Sequence, residues 1–247
     1  MRRNTTLTPP PLLARAIPAE LHALPQWVGW RHRERNGKWT KEPVNVYTGQ
    51  VGGVTGQVTW SSFDEAVAGM EADRYDGVGF VFTESDPYVG IDLDGCRDPE
   101  TGTVESWAAE IIERFDNYTE ISPSGRGVHI IVACTQPLPK GNKKPAMGIE
   151  VYQARRFFTL TGWSVDEERQ RATVTDRTED LLTWHAEVFG QSDPEPFALG
   201  KVQRPSLSVS DQEVLDRAFA SSKHGSRIRA LYAGDTRATT PAHRRRT

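Results

Sequence analysis

The sequence predicts an α+β domain. Three observations predict it: strand-like runs such as "GVGFVFT", "YVGIDLDG" and "GVHIIV", segments with helical spacing between them, and Gly- or Pro-marked turns that separate the two. In chain order, a polar, Pro-rich leader over residues 1–17 precedes "PAELHALPQWVGWRHRERNGKWTKEPVNVY", which reads as a short helix and two extended segments. Asn36 and Gly37 mark a hairpin turn between those segments. In "SSFDEAVAGMEA", Ser62 and Glu65 have capping-box spacing ahead of Ala66, Val67 and Met70, which predicts a helix.

"GVGFVFT" and "YVGIDLDG" then read as adjacent strands. Trp107, Ile111 and Phe115 recur at every fourth residue in "VESWAAEIIERF", the stripe of an amphipathic helix. A strand containing His129 follows, then two more strands about a turn at Ala154 and Arg155, and a helix over "EDLLTWHAEVF" that closes on Gly190. Together these elements predict a sheet carrying helices on one side, within a domain spanning residues 18–190. Residues 191–209 have the Pro- and Ser-rich composition of a linker, 210–235 read as two short helices with a capping box at Ser210 and Glu213, and 236–247 lack apolar periodicity and read as a disordered tail.

The chain has 247 residues, 37% hydrophobic and 26% charged, with a formal net charge of -3. That balance fits a soluble globular protein and excludes one that coats nucleic acid through bulk positive charge, so phosphate contacts must come from a local basic patch. Only Cys96 and Cys134 are present, too few for a disulfide framework or a four-cysteine zinc site, and a reducing cytoplasm is the expected compartment. No signal peptide is read in the leader, where prolines and Arg15 interrupt any apolar stretch, and no run approaches the ~20 apolar residues that span a membrane.

In "YVGIDLDGC", Val89, Ile91 and Leu93 share one parity and Asp92 and Asp94 the other, so two carboxylates project from one face of a strand. Hard oxygen ligands so placed suit Mg²⁺ or Mn²⁺. Taken alone, such a pair is equally a solvent-facing acidic strand end. In "TEISPSGRGVHIIV", Gly125 and Gly127 flank Arg126 in a turn suited to an anion, and His129 stands opposite the parity of Val128, Ile130 and Val132. A lone histidine on a half-buried strand is more often a hydrogen-bonded structural residue. In "MGIEVYQ", Glu150 stands opposite Ile149 and Val151. If the three strands are neighbours, these polar side chains converge on one surface, where three carboxylates suit two divalent ions about 4 Å apart. His129, Arg126 and Arg156 are then placed to meet nucleotide phosphates, while Arg155 reads as a solvated turn residue.

"GIDLDGC", "YTEISPSGRGVHI" and "GIEVYQARRFFTLTG", in that order, resemble the three motifs of the archaeo-eukaryotic primase superfamily, and most closely the primase-polymerases of phages and plasmids. "QWVGW" and "TKEPVN" extend the resemblance over roughly residues 18–190. It implies an RNA-recognition-motif-like catalytic sheet packed with an additional N-terminal α/β unit. It implies that Asp92, Asp94 and Glu150 bind two Mg²⁺ or Mn²⁺ ions and that His129 contacts the phosphates of the incoming nucleotide. Gly127 fills the small position of the second motif, Arg156 matches the basic residue after the third, and Lys41 is a further phosphate contact. Ser122, Ser124 and Arg126 enter the site less directly, as residues the turn needs for its shape.

The implied reaction is attack of a 3′-hydroxyl on a nucleotide's α-phosphate, on a single-stranded DNA template with a primer, in phage or plasmid replication, with a replicative helicase as a further partner. A template strand is expected on Trp27, Trp30, Trp39, Arg31, Arg33 and Lys38, which interleave aromatic and basic residues, although core positions explain the tryptophans as well. Residues after 210 resemble only the start of the helical bundle that follows in larger relatives, the expectation for a truncated or frameshifted gene product. Two other classes stand beside this reading: a metal-dependent nuclease or phosphohydrolase using the same carboxylates, and a non-catalytic single-strand binding remnant. A rolling-circle initiator would need paired histidines, and His129 is isolated.

Overall fold

The computed structural model describes residues 11–35, 37–167, 171–190, 216, 218–221 and 225–233. The chain divides into two compact units, Met1–Ser192 and Asp193–Thr247. Asn36, the linker from 191 to 209, the capping residues Ser210 and Glu213, and the tail from 236 lie outside the described residues.

The first unit is α+β and built on two antiparallel sheets. The first has the order β2-β1-β3-β9, from β1 (Trp27–Arg35), β2 (Lys38–Val44), β3 (Gly77–Phe82) and β9 (Arg156–Leu160). The second has the order β5-β6-β4-β8-β7, from β4 (Tyr88–Leu93), β5 (Tyr118–Ile121), β6 (Val128–Ala133), β7 (Lys143–Lys144) and β8 (Ile149–Tyr152). Four helices accompany them: α1 (Ala19–His22), α2 (Phe63–Glu71), α3 (Ser106–Phe115) and α4 (Thr178–Phe189). In the second unit, α5 (Gly225–Tyr232) takes up the predicted "GSRIRALY" helix.

Local chemistry accounts for the elements. The Ser62 side chain accepts from the Glu65 amide and the Glu65 carboxylate accepts from the Ser62 amide, so the predicted capping box starts α2. Gly37 has φ +75°, the left-handed conformation that a tight hairpin turn between β1 and β2 demands. Helix α3 buries Ala108, Ile111 and Phe115, and α4 buries Leu181 and Trp184; both sets pack on Val89, Ile91, Leu93, Val128, Ile130, Val132, Ile149 and Val151. The apolar parity of the second sheet therefore faces the helices, and the opposite parity is left for the first sheet and the site.

Two readings need correction. The strands β3 and β4 are consecutive but not paired; they belong to different sheets, and β8 and β9 are split in the same way. The cause lies in the connections. Asp86 accepts from the Thr83 amide and hydroxyl and from the Gln26 side chain, a knot that redirects the chain after β3. Arg155, at φ +58°, donates its amide to Phe82 O and turns the chain out of β8 into β9. Part of the segment read as a leader is packed: Leu13 N bonds Thr161 O, and Ile17 is buried. At the far end, Gly190 closes α4 in a right-handed conformation, φ -76°. No helix among the described residues is long and apolar enough to cross a membrane.

Candidate active site

The register of the second sheet places five side chains in one transverse row. Glu120 lies opposite His129, His129 opposite Asp92, Asp92 opposite Glu150, and Glu150 opposite Lys143. Directly paired residues in antiparallel strands share a face and stand about 5 Å apart, so Glu120, His129, Asp92, Glu150 and Lys143 form one polar line across all five strands. The next row on the same face, Tyr118, Ile131, Gly90 and Tyr152, is apolar, and most of it packs into the core with the aromatics of the first sheet. Gly90 is required there, because a Cβ would stand 2.5 Å from the Phe158 ring and 2.6 Å from that of Phe82. The face is thus half core and half site.

Asp94 follows the strand end and is clamped by two glycines. Its amide donates to Gly148 O at 2.7 Å, and a Cβ on Gly148 would approach Asp94 O to 2.5 Å. A Cβ on Gly127 would stand 2.8 Å from Leu93 O, so the small residue of the second motif allows the start of β6 to lie against the end of β4. Burial, then the neighbouring Asp92 charge, raises the Asp94 pKa above the usual carboxylate range.

His129 is buried between two carboxylates. Its Nδ1 lies 3.2 Å from Glu120 Oε1, and its Nε2 lies 3.7 Å from Asp92 Oδ1. Glu120 is fully buried, and its other oxygen accepts from the Tyr118 hydroxyl at 2.7 Å, the Thr161 amide at 3.0 Å and the Gly162 amide at 2.8 Å. Sequence reasoning missed this residue. The signal was available: with Ile121 and Val128 closing the turn, antiparallel pairing sets Glu120 opposite His129.

Glu150 faces basic partners, with Lys143 Nζ at 3.1 Å and Arg156 Nη2 at 3.6 Å, and it accepts from the Tyr152 hydroxyl. Burial works to raise its pKa, but the Tyr152 and Lys143 hydrogen bonds and the two nearby cations outweigh it and hold Glu150 below its ordinary value. The Arg156 guanidinium lies over the Tyr152 ring at 4.8 Å. From the first sheet, Lys41 directs Nζ to Thr159 Oγ1 at 3.3 Å. Burial lowers its pKa, while Asp92, Asp94 and Glu120 pull the other way.

In the turn, Ser122 is buried and Ser124 and Arg126 are exposed. The two serine hydroxyls lie 3.0 Å apart, and Ser124 accepts from the Arg126 amide, which shapes the loop. Arg155 pairs with Glu84 on the surface.

A cation can be tested against these donors. Asp92 Oδ1 is buried and has no hydrogen-bond partner among the described residues, and it lies beside a second carboxylate whose charge is already disfavoured by burial. An orphaned anionic oxygen next to a desolvated carboxylate fits a hard divalent ion. Among the described residues, however, no three His, Cys, Asp or Glu side chains are gathered closely enough to hold a metal, and Glu150 is engaged by Lys143 and Arg156.

The tryptophans expected to carry a template divide. Trp27 and Trp30 are core residues, 0% and 1% exposed, whereas Trp39 is 52% exposed. Arg31 and Arg33 lie on the face of the hairpin opposite Trp30 and Trp39, so these two arginines do not share a surface with the exposed indole.

No family model matches the chain. The DNA primase-polymerase of Nitratiruptor phage NrS-1 is 38% identical over 187 residues, which are 74% of this chain and 23% of the relative. The chain thus spans about a quarter of the length of the curated relative it matches. Over that aligned portion, the chain carries a primase-polymerase domain.

Proposed function

We propose that this chain catalyses template-directed nucleotidyl transfer, in which a 3′-hydroxyl attacks the α-phosphate of a nucleoside triphosphate and pyrophosphate leaves. The observation that carries the reading is the position of Asp92, directly between His129 and Glu150 in one transverse row, with Asp94 two residues beyond it. The primase-polymerase named among the relatives supports a polymer-forming reaction over a hydrolytic one. In this reading the second sheet with α3 and α4 is the RNA-recognition-motif-like catalytic unit.

Asp92 and Asp94 would hold Mg²⁺ or Mn²⁺, and Glu150, engaged here by Lys143 and Arg156, would join them as a third carboxylate on giving up those partners. Ions held by these carboxylates would supply Lewis acidity for the attacking hydroxyl and would neutralise charge on the leaving group. His129, Lys41 and Arg156 bind and orient the triphosphate, and Arg126 reaches it from the turn. Glu120 acts through His129: it takes the Nδ1 side of the ring and leaves Nε2 toward Asp92.

The test offers a primed and an unprimed single-stranded template with labelled nucleotides and Mn²⁺ or Mg²⁺. Extension of the primed template, lost in Asp92→Ala and Asp94→Ala variants whose circular dichroism is unchanged, is the expected result. Products on the unprimed template would add priming. Degradation of the strand without added nucleotides, or no incorporation under any condition, would overturn the reading.

A further inference from the structure

The β1–β2 hairpin sorts its side chains by chemistry. Its register pairs Trp30 with Pro43, His32 with Lys41 and Glu34 with Trp39, and each pair shares a face. On that face the rings form an edge-to-face ladder: Trp30 to His32 at 4.9 Å between centroids and His32 to Trp39 at 6.4 Å, both near 87°. Lys41 stands at the inner end, 6.0 Å from the Trp30 ring centroid, with Asp92 and Asp94 among the charges acting on it. The ladder therefore starts beside the candidate active site and ends at an exposed indole. All seven tryptophans are described, and Trp39 alone among them is exposed.

Charge on the reverse face is already committed. Glu42 receives Arg33 at 2.8 Å and Arg35 at 3.8 Å, and the Arg31 guanidinium donates to the Arg74 carbonyl. The aromatic face has a different character at its tip, where the register pairs Trp39 with the carboxylate of Glu34 and leaves Lys41 at the inner end of the ladder. An exposed aromatic plane paired directly with a carboxylate suits a π-face and not a phosphate.

We infer that Trp39 is a base-stacking platform for single-stranded nucleic acid leading to or from the polar row of the second sheet. A strand fits this site better than a free nucleotide. One stacked base strengthens binding by about tenfold, enough to add to a strand held elsewhere, whereas a free nucleotide needs an enclosing pocket. The inference rests on the proposed function only for the identity of the polymer.

The test is fluorescence and anisotropy titration of the full chain with a thymidine oligomer, over a series of salt concentrations. The oligomer quenches the wild-type tryptophan signal, and Trp39→Ala removes most of the quench and weakens binding about tenfold. Because stacking releases no counterions, the slope of log affinity against log salt is unchanged by that substitution. Trp39→Phe recovers most of the affinity, and Arg33→Ala, on the reverse face, changes neither affinity nor slope.

Unchanged affinity in Trp39→Ala overturns the inference, as does a fall in slope with Arg33→Ala while Trp39→Ala is silent. Equal quenching by a nucleoside triphosphate alone overturns the assignment to a strand. Wild-type protein that binds with the Trp39 quench but never incorporates nucleotides would remove the proposed catalysis and leave the platform standing. Normal extension by a Trp39→Ala variant with unchanged affinity would do the reverse.

Discussion

Glu120 and His129 face one another across β5 and β6, with His129 Nδ1 3.2 Å from a carboxylate that is fully buried. Three further donors, the Tyr118 hydroxyl and the Thr161 and Gly162 amides, converge on the other Glu120 oxygen. The carboxylate cannot rotate without losing several bonds, so the ring it holds cannot rotate either. A Glu120→Gln substitution keeps the shape but turns one acceptor oxygen into a donor, which must face either these donors or Nδ1. The variant should lose about 1–3 kcal/mol of stability in denaturant unfolding. In steady-state incorporation it should raise KM for the nucleotide more than it lowers kcat. In a His129→Ala background the same change should cost little further activity, because the residue acts through the ring. Additive losses would mean that Glu120 serves the fold alone.

Lys41 presents a conflict between stability and the proposed binding of phosphates. Burial disfavours its ammonium more than Asp92, Asp94 and Glu120 favour it, so the folded pKa lies below the ordinary value of 10.5. The unfolded chain then holds the proton more tightly, and stability rises with pH between the folded and the ordinary value. Lys41→Met should be more stable than the wild type by about 1 kcal/mol near neutral pH and should lose this alkaline rise. The same variant should raise KM for the nucleotide about tenfold or more. Thermal unfolding against pH, alongside incorporation kinetics, checks both halves.

Much of this arrangement was legible in the sequence, for identifiable reasons. Strand periodicity placed Asp92, His129 and Glu150 opposite their apolar neighbours, and the pairing of β6, β4 and β8 brings those positions into one row. The helix stripe at Trp107, Ile111 and Phe115 and the Ser62 capping box depend only on local spacing, and both helices form as read. Pairing between strands is a long-range property, and there the sequence misled: β3 and β4 read as adjacent strands, yet the Asp86 knot sends them to different sheets. Glu120 was overlooked because a glutamate on a strand looks solvent-facing until four hydrogen bonds bury it. The tryptophans of β1 were ambiguous for a related reason, since adjacent positions on a strand fall on opposite faces and only register tells which face is covered.

Tyr75 offers a test of the first sheet that is independent of the site. Its side chain fills the space above Gly29 and Gly69, where added Cβ atoms would come within 2.6 Å of the ring and 2.1 Å of the hydroxyl oxygen respectively, and that hydroxyl donates to Ala66 O at 2.7 Å. Burial pushes its pKa up to about 12 from 10.0. A raised folded value means that the stabilisation is complete below pH 10 and is lost as pH rises through about 12. The wild type should lose on the order of 2–3 kcal/mol over that interval from this residue. Tyr75→Phe should be less stable near neutral pH by about 1 kcal/mol, for the lost hydrogen bond, and should show a shallower alkaline decline in urea unfolding.

Gly148 tests whether the backbone beside the row matters as much as its side chains. It has φ +66°, accepts the Asp94 amide at 2.7 Å, and leaves only 2.5 Å between a built Cβ and Asp94 O. Alanine there meets two separate obstacles, a left-handed conformation and a contact with main chain that has no flexible end to move aside. Gly148→Ala should therefore cost about 1–3 kcal/mol in stability and displace Asp94 from its place beside Asp92. Under the proposed function, incorporation should fall by at least tenfold, more than the stability loss explains at temperatures where the variant remains folded. Gly49→Ala provides the comparison: Gly49 has a similar φ of +67° but nothing within 4 Å of its Cβ position, so it carries the conformational strain without the clash. If both variants lose activity and stability equally, backbone conformation alone accounts for the effect, and the clamp on Asp94 has no role of its own.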